Sequence, residues 1–532
     1  MKKLIISTFV LFFSWNYSFG CTNLIVTKGA SETGSCYLVY LSDGEWLPHL
    51  SVTPAADHAP GDSLTFVSLS GKRFKVHQVA HTYRRVGILM NEHQLAIGET
   101  TFTGRTELWD KDLPIKYWEL MWLALERAKT AREAIKVMTS LVEQYGYGSE
   151  GESFSIADPE EAWLLEMIGT GGRGGAVWVA KRIPDGMISA HANHARIGTF
   201  PLNDPENCLY SKNIINLAVE KGYYDLASGE PFRFNDVYDP PTPEHIRYSE
   251  TRVWSIFRRA APSQSFSPDY HRFKPGAKPY PLFIKPDRQL DLHDVFSLIR
   301  DHYEGTDFDM TKGIAAGPYG NPNRSRPMEW KMYGNTYSWE RPISTPQTAY
   351  VYVAELRSDI PKELALMWYA FDDTYTNCFF PLYIQSTDLP KSYQTGDFNR
   401  FDRASMWWAF NFVSNYANIC YQPMVKEIKK VQTLLENRFI KERDSLEETL
   451  SQTSNKTAII EQITKFSVKC GNTIHQEWLT LGDLLVMKFN DGYVRDQNNK
   501  VTNRGYNEAW LKTITNLEGE RYLIEVAEPE ER

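Results

Sequence analysis

The order of strand-like and helical patterns predicts an α+β fold, a sandwich of two sheets covered by helices. The chain begins with strand-like runs at 22–27 and 36–41 and then has a helical stretch from 114 to 145. Strand-like runs resume at 153–157, 162–167, 177–180 and 188–192. Strands grouped before and after a block of helices fit such a sandwich better than a doubly wound sheet, in which single strands and helices alternate.

Apolar residues at helical spacing predict two consecutive helices in the stretch from 114 to 145. Trp118, Met121, Trp122 and Leu125 recur at intervals of three and four, and a second such series follows a break near Thr130. Each series would present one apolar face to a sheet.

The middle of the chain, roughly 199–345, is predicted to be a mixed insertion that is richer in Pro and Gly. Helices are expected at Cys208–Glu220, Glu244–Ala260 and Leu292–Tyr303, the last with Asp291 as its cap. The stretch 304–345 is predicted to be a long irregular loop, and such loops in compact domains are often functional. Its Arg324 and Arg326 are candidates to line the site, or else they are solvated arginines.

From Ser405 onward the pattern becomes strongly helical, with a charged run that continues to Leu450. The simplest reading of that run is the solvated face of a long helical hairpin packed on the core. The sequence therefore predicts three parts, which are a signal peptide at 1–20, a catalytic domain at 21–404 that carries the insertion, and a helix-rich C-terminal part at 405–532 packed on the same domain.

The first twenty residues have the pattern of a secretory signal peptide. Two lysines precede an apolar run at 4–13, and Ser18 and Gly20 provide the small residues that a signal peptidase needs. The run is too short to span a bilayer. Cleavage after Gly20 would make Cys21 the first residue, and the product would be periplasmic or extracellular.

A cysteine at the N-terminus carries a nucleophile and a general base in one residue, because its own α-amine can take the thiol proton. Cys21 therefore indicates an N-terminal nucleophile hydrolase. Two alternatives stay open, the acylated cysteine of a lipoprotein and a plain buried thiol. Against the lipoprotein, residues 18–20 fit a lipidation pattern poorly, and residues 22–27 are apolar and β-branched where an anchor normally leads into a polar tether.

Seven short stretches, distributed along the chain, carry a resemblance to a known family. They are CTNLIVTKGASETGS from Cys21, MNEHQLAIGETT from Met90, IADPEEAWLLEMIG from Ile156, WVAKRIPDG from Trp178, HANHARIG from His191, RDHYEGTDFDMTKGIAAGPYGNP from Arg300 and WWAF from Trp407. In this order they resemble the dipeptidase A family of cysteine N-terminal-nucleophile (Ntn) hydrolases, relatives of penicillin V acylase and bile salt hydrolase. The resemblance implies a four-layer αββα sandwich and peptidase activity on dipeptides.

One tract departs from the family pattern. Where many members have Arg-Asn-x-Asp, this chain has Tyr40, Leu41, Ser42 and Asp43. The acid is kept, so the resemblance implies that Asp43 orients the amine and the thiol, but without the guanidinium that many relatives place beside it. Asp43 is otherwise a turn residue, since Ser-Asp-Gly is good turn chemistry.

Three further residues are assigned to the site. Asn193 follows a strand-like run, its amide can donate to an oxyanion, and it matches the asparagine in a late strand motif of the family. Glu99 and Thr100 end another strand in a matched stretch, and the Glu99 carboxylate could hold the free amine of a dipeptide. Such an acid would separate a dipeptidase from an amidase or acylase of the same superfamily, which remains the competing hypothesis.

Composition limits the partners and cofactors. Removal of residues 1–20 takes away two lysines and no acid, so the net charge goes from −8 to −10, which argues against nucleic acid. The six cysteines are too widely spaced for a zinc knuckle, and His191 with His194 lacks a third ligand. We expect no metal, no cofactor and no membrane span. The expected substrate is a short peptide, and a homo-oligomer remains possible.

Overall fold

The computed structural model describes residues 20–172 and 174–524. The expected signal peptide therefore lies outside the described residues, apart from Gly20. Within these ranges the chain forms 22 strands and ten α-helices. The strands are Thr22–Val26 (β1), Cys36–Asp43 (β2), Val52–Thr53 (β3), Ala56–Asp57 (β4), Ser63–Val67 (β5), Arg73–His77 (β6), His81–Thr82 (β7), Arg85–Val86 (β8), Met90–Asn91 (β9), Ala96–Thr103 (β10), Gly151–Ala157 (β11), Ala162–Gly169 (β12), Ala176–Ile183 (β13), Ile188–His191 (β14), Cys208–Tyr210 (β15), Glu329–Met332 (β16), Asn335–Ser338 (β17), Thr348–Leu356 (β18), Leu366–Phe371 (β19), Phe380–Tyr383 (β20), Val494–Arg495 (β21) and Val501–Thr502 (β22). The helices are Tyr117–Arg127 (α1), Ala131–Tyr145 (α2), Ile214–Glu220 (α3), Phe234–Tyr238 (α4), Pro243–Ala260 (α5), Leu292–Ile299 (α6), Met406–Ala417 (α7), Tyr421–Leu450 (α8), Lys456–Phe489 (α9) and Glu508–Tyr522 (α10).

Two large antiparallel sheets form the centre of the fold. One has six strands in the order β14-β1-β2-β18-β19-β20, and the other has eight in the order β15-β13-β12-β11-β10-β9-β8-β3. Strands β1 and β2 contact β10 and β11 of the other sheet. The facing strands are buried along their whole length, apart from two half-buried residues of β10. The predicted α+β class is confirmed.

Helices pack against both sheets. Helix α1 contacts β10 and α2 contacts β11, β12 and β13, whereas α5, α7, α8 and α9 contact strands of the six-stranded sheet. The side chain of Thr130 caps α2 by accepting the backbone N–H of Glu133 at 3.3 Å. The prediction of two helices with a break near Thr130 is therefore confirmed.

The insertion differs from the prediction in three places. The expected helix Cys208–Glu220 begins only at Ile214, because residues 208–210 pair with β13 as an added edge strand. The helix capped by Asp291 ends at Ile299 and does not reach Tyr303, whose φ of 66° is incompatible with a right-handed helix. The expected irregular loop 304–345 contains the hairpin β16–β17.

The C-terminal part consists of α7 to α10, and its long helices α8 and α9 pack on each other and on β20. No helix in the described ranges is long and apolar enough to cross a membrane. All six cysteines belong to the described residues, and each is buried and unpaired. The fold therefore holds together without a disulfide bond.

Candidate active site

Cys21 lies directly before β1, at the place where the two large sheets face each other. Its side chain is buried, and its thiol donates to Glu99 Oε1 at 3.5 Å and lies 3.9 Å from the Tyr40 hydroxyl. The sheets come this close because Gly98 of β10 has no side chain. A Cβ atom at Gly98 would lie 2.9 Å from the Cβ of Tyr40, which is closer than real Cβ atoms come.

Asp43 ends β2 beside the thiol. Its Oδ1 accepts a hydrogen bond from the Thr348 hydroxyl at 2.6 Å, and its Oδ2 accepts one from Arg341 Nη2 at 2.5 Å. Burial raises the pKa of the Cys21 thiol, and the backbone of Asp43 opposes that effect. The expectation that Asp43 lacks a guanidinium is wrong, because Arg341 comes from a segment 298 residues further along the chain.

Arg252 of α5 joins Cys21 to Asn193. One terminal nitrogen of its guanidinium, Nη1, donates to the carbonyl oxygen of Cys21 at 2.6 Å and to the Thr22 hydroxyl at 2.8 Å. The other, Nη2, donates to Asn193 Oδ1 at 2.7 Å. Sequence analysis did not single out Arg252, although it shares a helix face with the buried Ser249 and Ile256. A charged residue on such a face is the signal that could have found it.

Asn193 lies two residues after β14 and is fixed at both ends of its amide group. Its Oδ1 accepts from Arg252, and its Nδ2 donates to the carbonyl oxygen of Thr101 at 2.8 Å. The amide plane is therefore set by two elements, α5 and β10. The structure brings Asn193 and Cys21 to the same guanidinium.

Thr100 has a different role from its neighbour Glu99. The Thr100 hydroxyl donates to the carbonyl oxygen of Ala192 at 2.6 Å and lies 2.7 Å from Nδ1 of His191. The other ring nitrogen of His191, Nε2, lies 2.7 Å from the Ser155 hydroxyl. Thr100 therefore supports the turn that carries Asn193 and does not contact the thiol.

A second carboxyl group, Glu152 of β11, lies against Glu99. Burial raises the pKa of Glu99, and the Thr101 hydroxyl donates to Glu152 Oε1 at 2.7 Å. Burial and the charge of Glu99 together raise the pKa of Glu152 well above its usual value. Two buried carboxyl groups this close together disfavour each other's ionised form. Sequence analysis did not find Glu152.

Burial dominates the electrostatics of the thiol. It raises the pKa of Cys21 well above the ordinary value, and the charges of Glu99 and Asp43 raise it further. With residue 20 attached, the thiol is therefore neutral at physiological pH and needs a base to become a nucleophile. His191 is unsuitable, since burial lowers its pKa to about 3 and both ring nitrogens are already engaged.

No group of three His, Cys, Asp or Glu side chains suited to a metal ion occurs in the part of the chain that the structure describes. His194 contacts Glu250 at 3.3 Å and Asp239 at 3.8 Å, both within the core. The carboxylates around it raise its pKa against the opposing effect of burial. His194 is therefore part of a buried charge network.

The chain matches one family model and several named proteins. The model of peptidase family C69 matches residues 20–433, which is most of the chain. A probable dipeptidase of Salmonella dublin is 25% identical over 395 residues, covering 71% of this chain and 83% of its own. Dipeptidase A of Lactobacillus helveticus is 26% identical over 306 residues, covering 57% of each chain. A dipeptidase of Bifidobacterium longum is 24% identical over 451 residues, covering 77% of this chain and 80% of its own. The chain is therefore a peptide-bond-hydrolysing enzyme that belongs to peptidase family C69.

Proposed function

We propose that this protein is an exported dipeptidase whose nucleophile, Cys21, becomes the N-terminal residue when residues 1–20 are removed. The observation that carries the proposal is the position of the thiol, 3.5 Å from the Glu99 carboxylate and linked through Arg252 to Asn193. The relatives named as dipeptidases support the substrate class. The two facing sheets with helices packed on each support an αββα arrangement of the Ntn type.

The first step is the attack of the Cys21 sulfur on the peptide carbonyl. The α-amine of Cys21 takes the thiol proton as the S–C bond forms, and it later gives that proton to the leaving amine as the C–N bond breaks. The acyl group then remains on the sulfur as a thioester. Water hydrolyses the thioester, which releases the first amino acid and restores the thiol.

Asn193 is proposed to stabilise the oxyanion of the tetrahedral intermediate. Donors of an oxyanion hole act best when they are held in place before the reaction. Arg252 and the Thr101 carbonyl hold the Asn193 amide in this way. Arg252 also fixes the carbonyl oxygen of Cys21, so nucleophile and oxyanion donor share one rigid support.

Glu99 is proposed to bind the free ammonium group of the substrate. Its carboxyl is buried and accepts hydrogen bonds from the Cys21 thiol and the Tyr40 hydroxyl, and no lysine or arginine side chain of the described residues is hydrogen-bonded to it. A substrate ammonium group would supply the missing positive charge in a water-poor site. An acylase substrate, with an apolar acyl group at the same place, would leave the carboxylate unpaired.

The test is a panel of dipeptides, each free or N-acetylated, with the mature protein and the Cys21→Ala variant. We expect hydrolysis of the free dipeptides, slow or no hydrolysis of the acetylated ones, and none of either by the variant. A preference for acylated substrates would instead identify an amidase or acylase. Hydrolysis by Cys21→Ala at the rate of the parent protein would refute the nucleophile.

Intact-mass analysis of the exported protein tests the maturation step. We expect the loss of residues 1–20 and an unmodified Cys21. A diacylglyceryl mass on Cys21 would support the lipid anchor. The burial of Cys21 at the start of a core strand argues against that anchor, since an acyl chain would have to leave the site for a membrane.

A further inference from the structure

Arg341 is buried against the chain segment that precedes the nucleophile. Its Nη2 bridges two acceptors, Asp43 Oδ2 at 2.5 Å and the carbonyl oxygen of Gly20 at 2.6 Å. Its Nη1 donates to the carbonyl oxygen of Pro342 at 2.7 Å. The backbone carbonyl oxygen of Arg341 accepts a hydrogen bond from the Tyr303 hydroxyl. Both ends of the residue are therefore held, and the guanidinium has a fixed direction.

The bridge places the guanidinium next to the atom that becomes the α-amine. In a peptide group the oxygen lies about 2.2 Å from the nitrogen, so Nη2 of Arg341 lies at most about 5 Å from the backbone nitrogen of Cys21. The guanidinium also packs directly on Gly20, since a Cβ atom there would lie 2.9 Å from its Nε. Removal of residue 20 takes away one acceptor of Nη2 and leaves the guanidinium beside Asp43 and the new amine.

We propose that Arg341 is the positioning residue of the nucleophile: it holds Asp43 in place and, in the mature chain, sets a fixed positive charge beside the α-amine. This inference rests on the proposed role of Cys21 and its amine. Arg341 does not touch the thiol, so it acts through Asp43 and through its field. Arg341 would also supply the guanidinium beside Asp43 that the family resemblance places at the position occupied here by Tyr40.

The sign of the effect follows from the charges that surround the amine. The negative groups are Asp43 and Glu99, the positive groups are Arg252, Arg326 and Arg341, and Tyr40 is the neighbouring neutral acid. Asp43 and Glu99 favour the ammonium form, which cannot accept a proton from the thiol. A cation nearby favours the neutral amine. Arg341 therefore lowers the amine pKa and keeps more of the base in its active form near pH 7.

Arg341 also favours the ionised form of Asp43. Burial raises the pKa of Asp43, and Arg341 is the strongest of the influences that lower it. Without this partner, the buried Asp43 carboxylate would keep the Thr348 hydroxyl and, further away, the charges of Arg252 and Arg326. Its side chain could then turn away, and the amine would lose its orienting acceptor.

The experiment compares the pH profiles of kcat/KM for Arg341→Gln, Arg341→Lys and the parent protein, with the mature N-terminus of each checked by intact mass. Glutamine keeps N–H donors without the charge, so its rising limb should move to higher pH by about one unit. Activity at pH 7 should then fall roughly 10-fold or more. Lysine keeps the positive charge but cannot make all the hydrogen bonds of the guanidinium. In Arg341→Lys the rising limb of the pH profile should therefore stay at the same pH, while kcat falls.

Arg443→Gln is the matched control, because Arg443 makes a comparably buried ion pair with Glu355, at 2.8 Å and at the far end of β18. It should lose stability without a change in the pH profile. The role of Arg341 would be overturned if the rising limb of the pH profile did not shift in Arg341→Gln, or if Arg341→Lys had the same kcat as the parent protein. Should Arg341→Gln fail to fold, the kcat of Arg341→Lys still decides the matter. Cys21→Ala separates the two proposals: if it is inactive while both Arg341 variants match the parent protein, only the role of Arg341 fails.

Discussion

The Glu99 carboxylate and the Cys21 thiol are direct neighbours, with 3.5 Å between Oε1 and Sγ. Burial raises the pKa of the Cys21 thiol, and a buried carboxylate so close to the sulfur raises it further because it opposes the formation of the thiolate. The contact would no longer oppose thiolate formation if the Glu99 charge were neutralised when the substrate binds. A substrate ammonium group would cancel the charge that otherwise suppresses the nucleophile, so binding and activation would be coupled.

Replacement of Glu99 by glutamine should reduce the preference for free over N-acetylated dipeptides. We expect the ratio of their kcat/KM values to fall by about 10- to 100-fold, because a hydrogen bond to a charged group contributes about 1.5–3 kcal/mol. Glu166→Gln is the control, since Glu166 is equally buried but accepts from the backbone N–H groups of Arg196 and Ile197. An unchanged ratio in Glu99→Gln would exclude Glu99 as the ammonium site.

Addition of one alanine before Cys21 should remove nearly all turnover. The thiol remains, but the amine moves away from the sulfur, and a misplaced catalytic group costs about 100-fold or more. In the parent protein, activity should rise between pH 6 and 8, since a free α-amine titrates near ~7.7–8.0. Steady-state kinetics with a mass-verified N-terminus checks both statements. An extended variant with undiminished turnover would show that the amine is not the base.

Replacement of Asn193 by alanine should lower kcat by about 10²- to 10³-fold, as expected for the loss of one oxyanion donor. KM should change much less, because the contact strengthens in the transition state. Asn377→Ala is the control, since Asn377 is buried and donates to the carbonyl oxygen of Phe371 at 3.0 Å, on the six-stranded sheet. Equal losses of kcat in the two variants would assign Asn193 to structure alone.

His191 should make the folded state less stable in acid. Its pKa is about 3 in the fold and about 6.5 in an unfolded chain, so between these values the unfolded state binds the extra proton and stability falls as pH falls. His191→Gln removes this dependence. Relative to the parent protein, the variant should gain about 2 kcal/mol between pH 7 and pH 5 in urea unfolding. Exposed His293→Gln is the control, and an identical gain there would refute the assignment.

Much of the fold could be predicted from local patterns. Helices α1 and α2 follow the apolar spacing on either side of Thr130, and α5 matches its predicted range within one residue. The predictions failed where distant pairing decides the outcome. Residues 208–210 became a strand because β13 offered a free edge, which local propensity does not reveal.

The site could be predicted only in part, for the same reason. Cys21, Asp43, Glu99 and Asn193 lie at strand ends or in motifs that a single sequence displays, and the structure brings them together. Arg341 lies in the stretch predicted as a functional loop, but that interpretation favoured Arg324 and Arg326. The structure shows Arg324 tied to the carbonyl oxygens of Met310, Asn321 and Asn323. Which arginine of a loop reaches a site is a matter of tertiary packing.

The contact between Asp43 and Arg341 joins two residues that lie 298 positions apart, which is more than half of the chain. Asp43 is therefore synthesised long before the guanidinium that contacts it. A fragment that ends before residue 341 would still contain Cys21 and Asp43 but would lack this guanidinium, so a truncation far from the thiol would remove part of the candidate site.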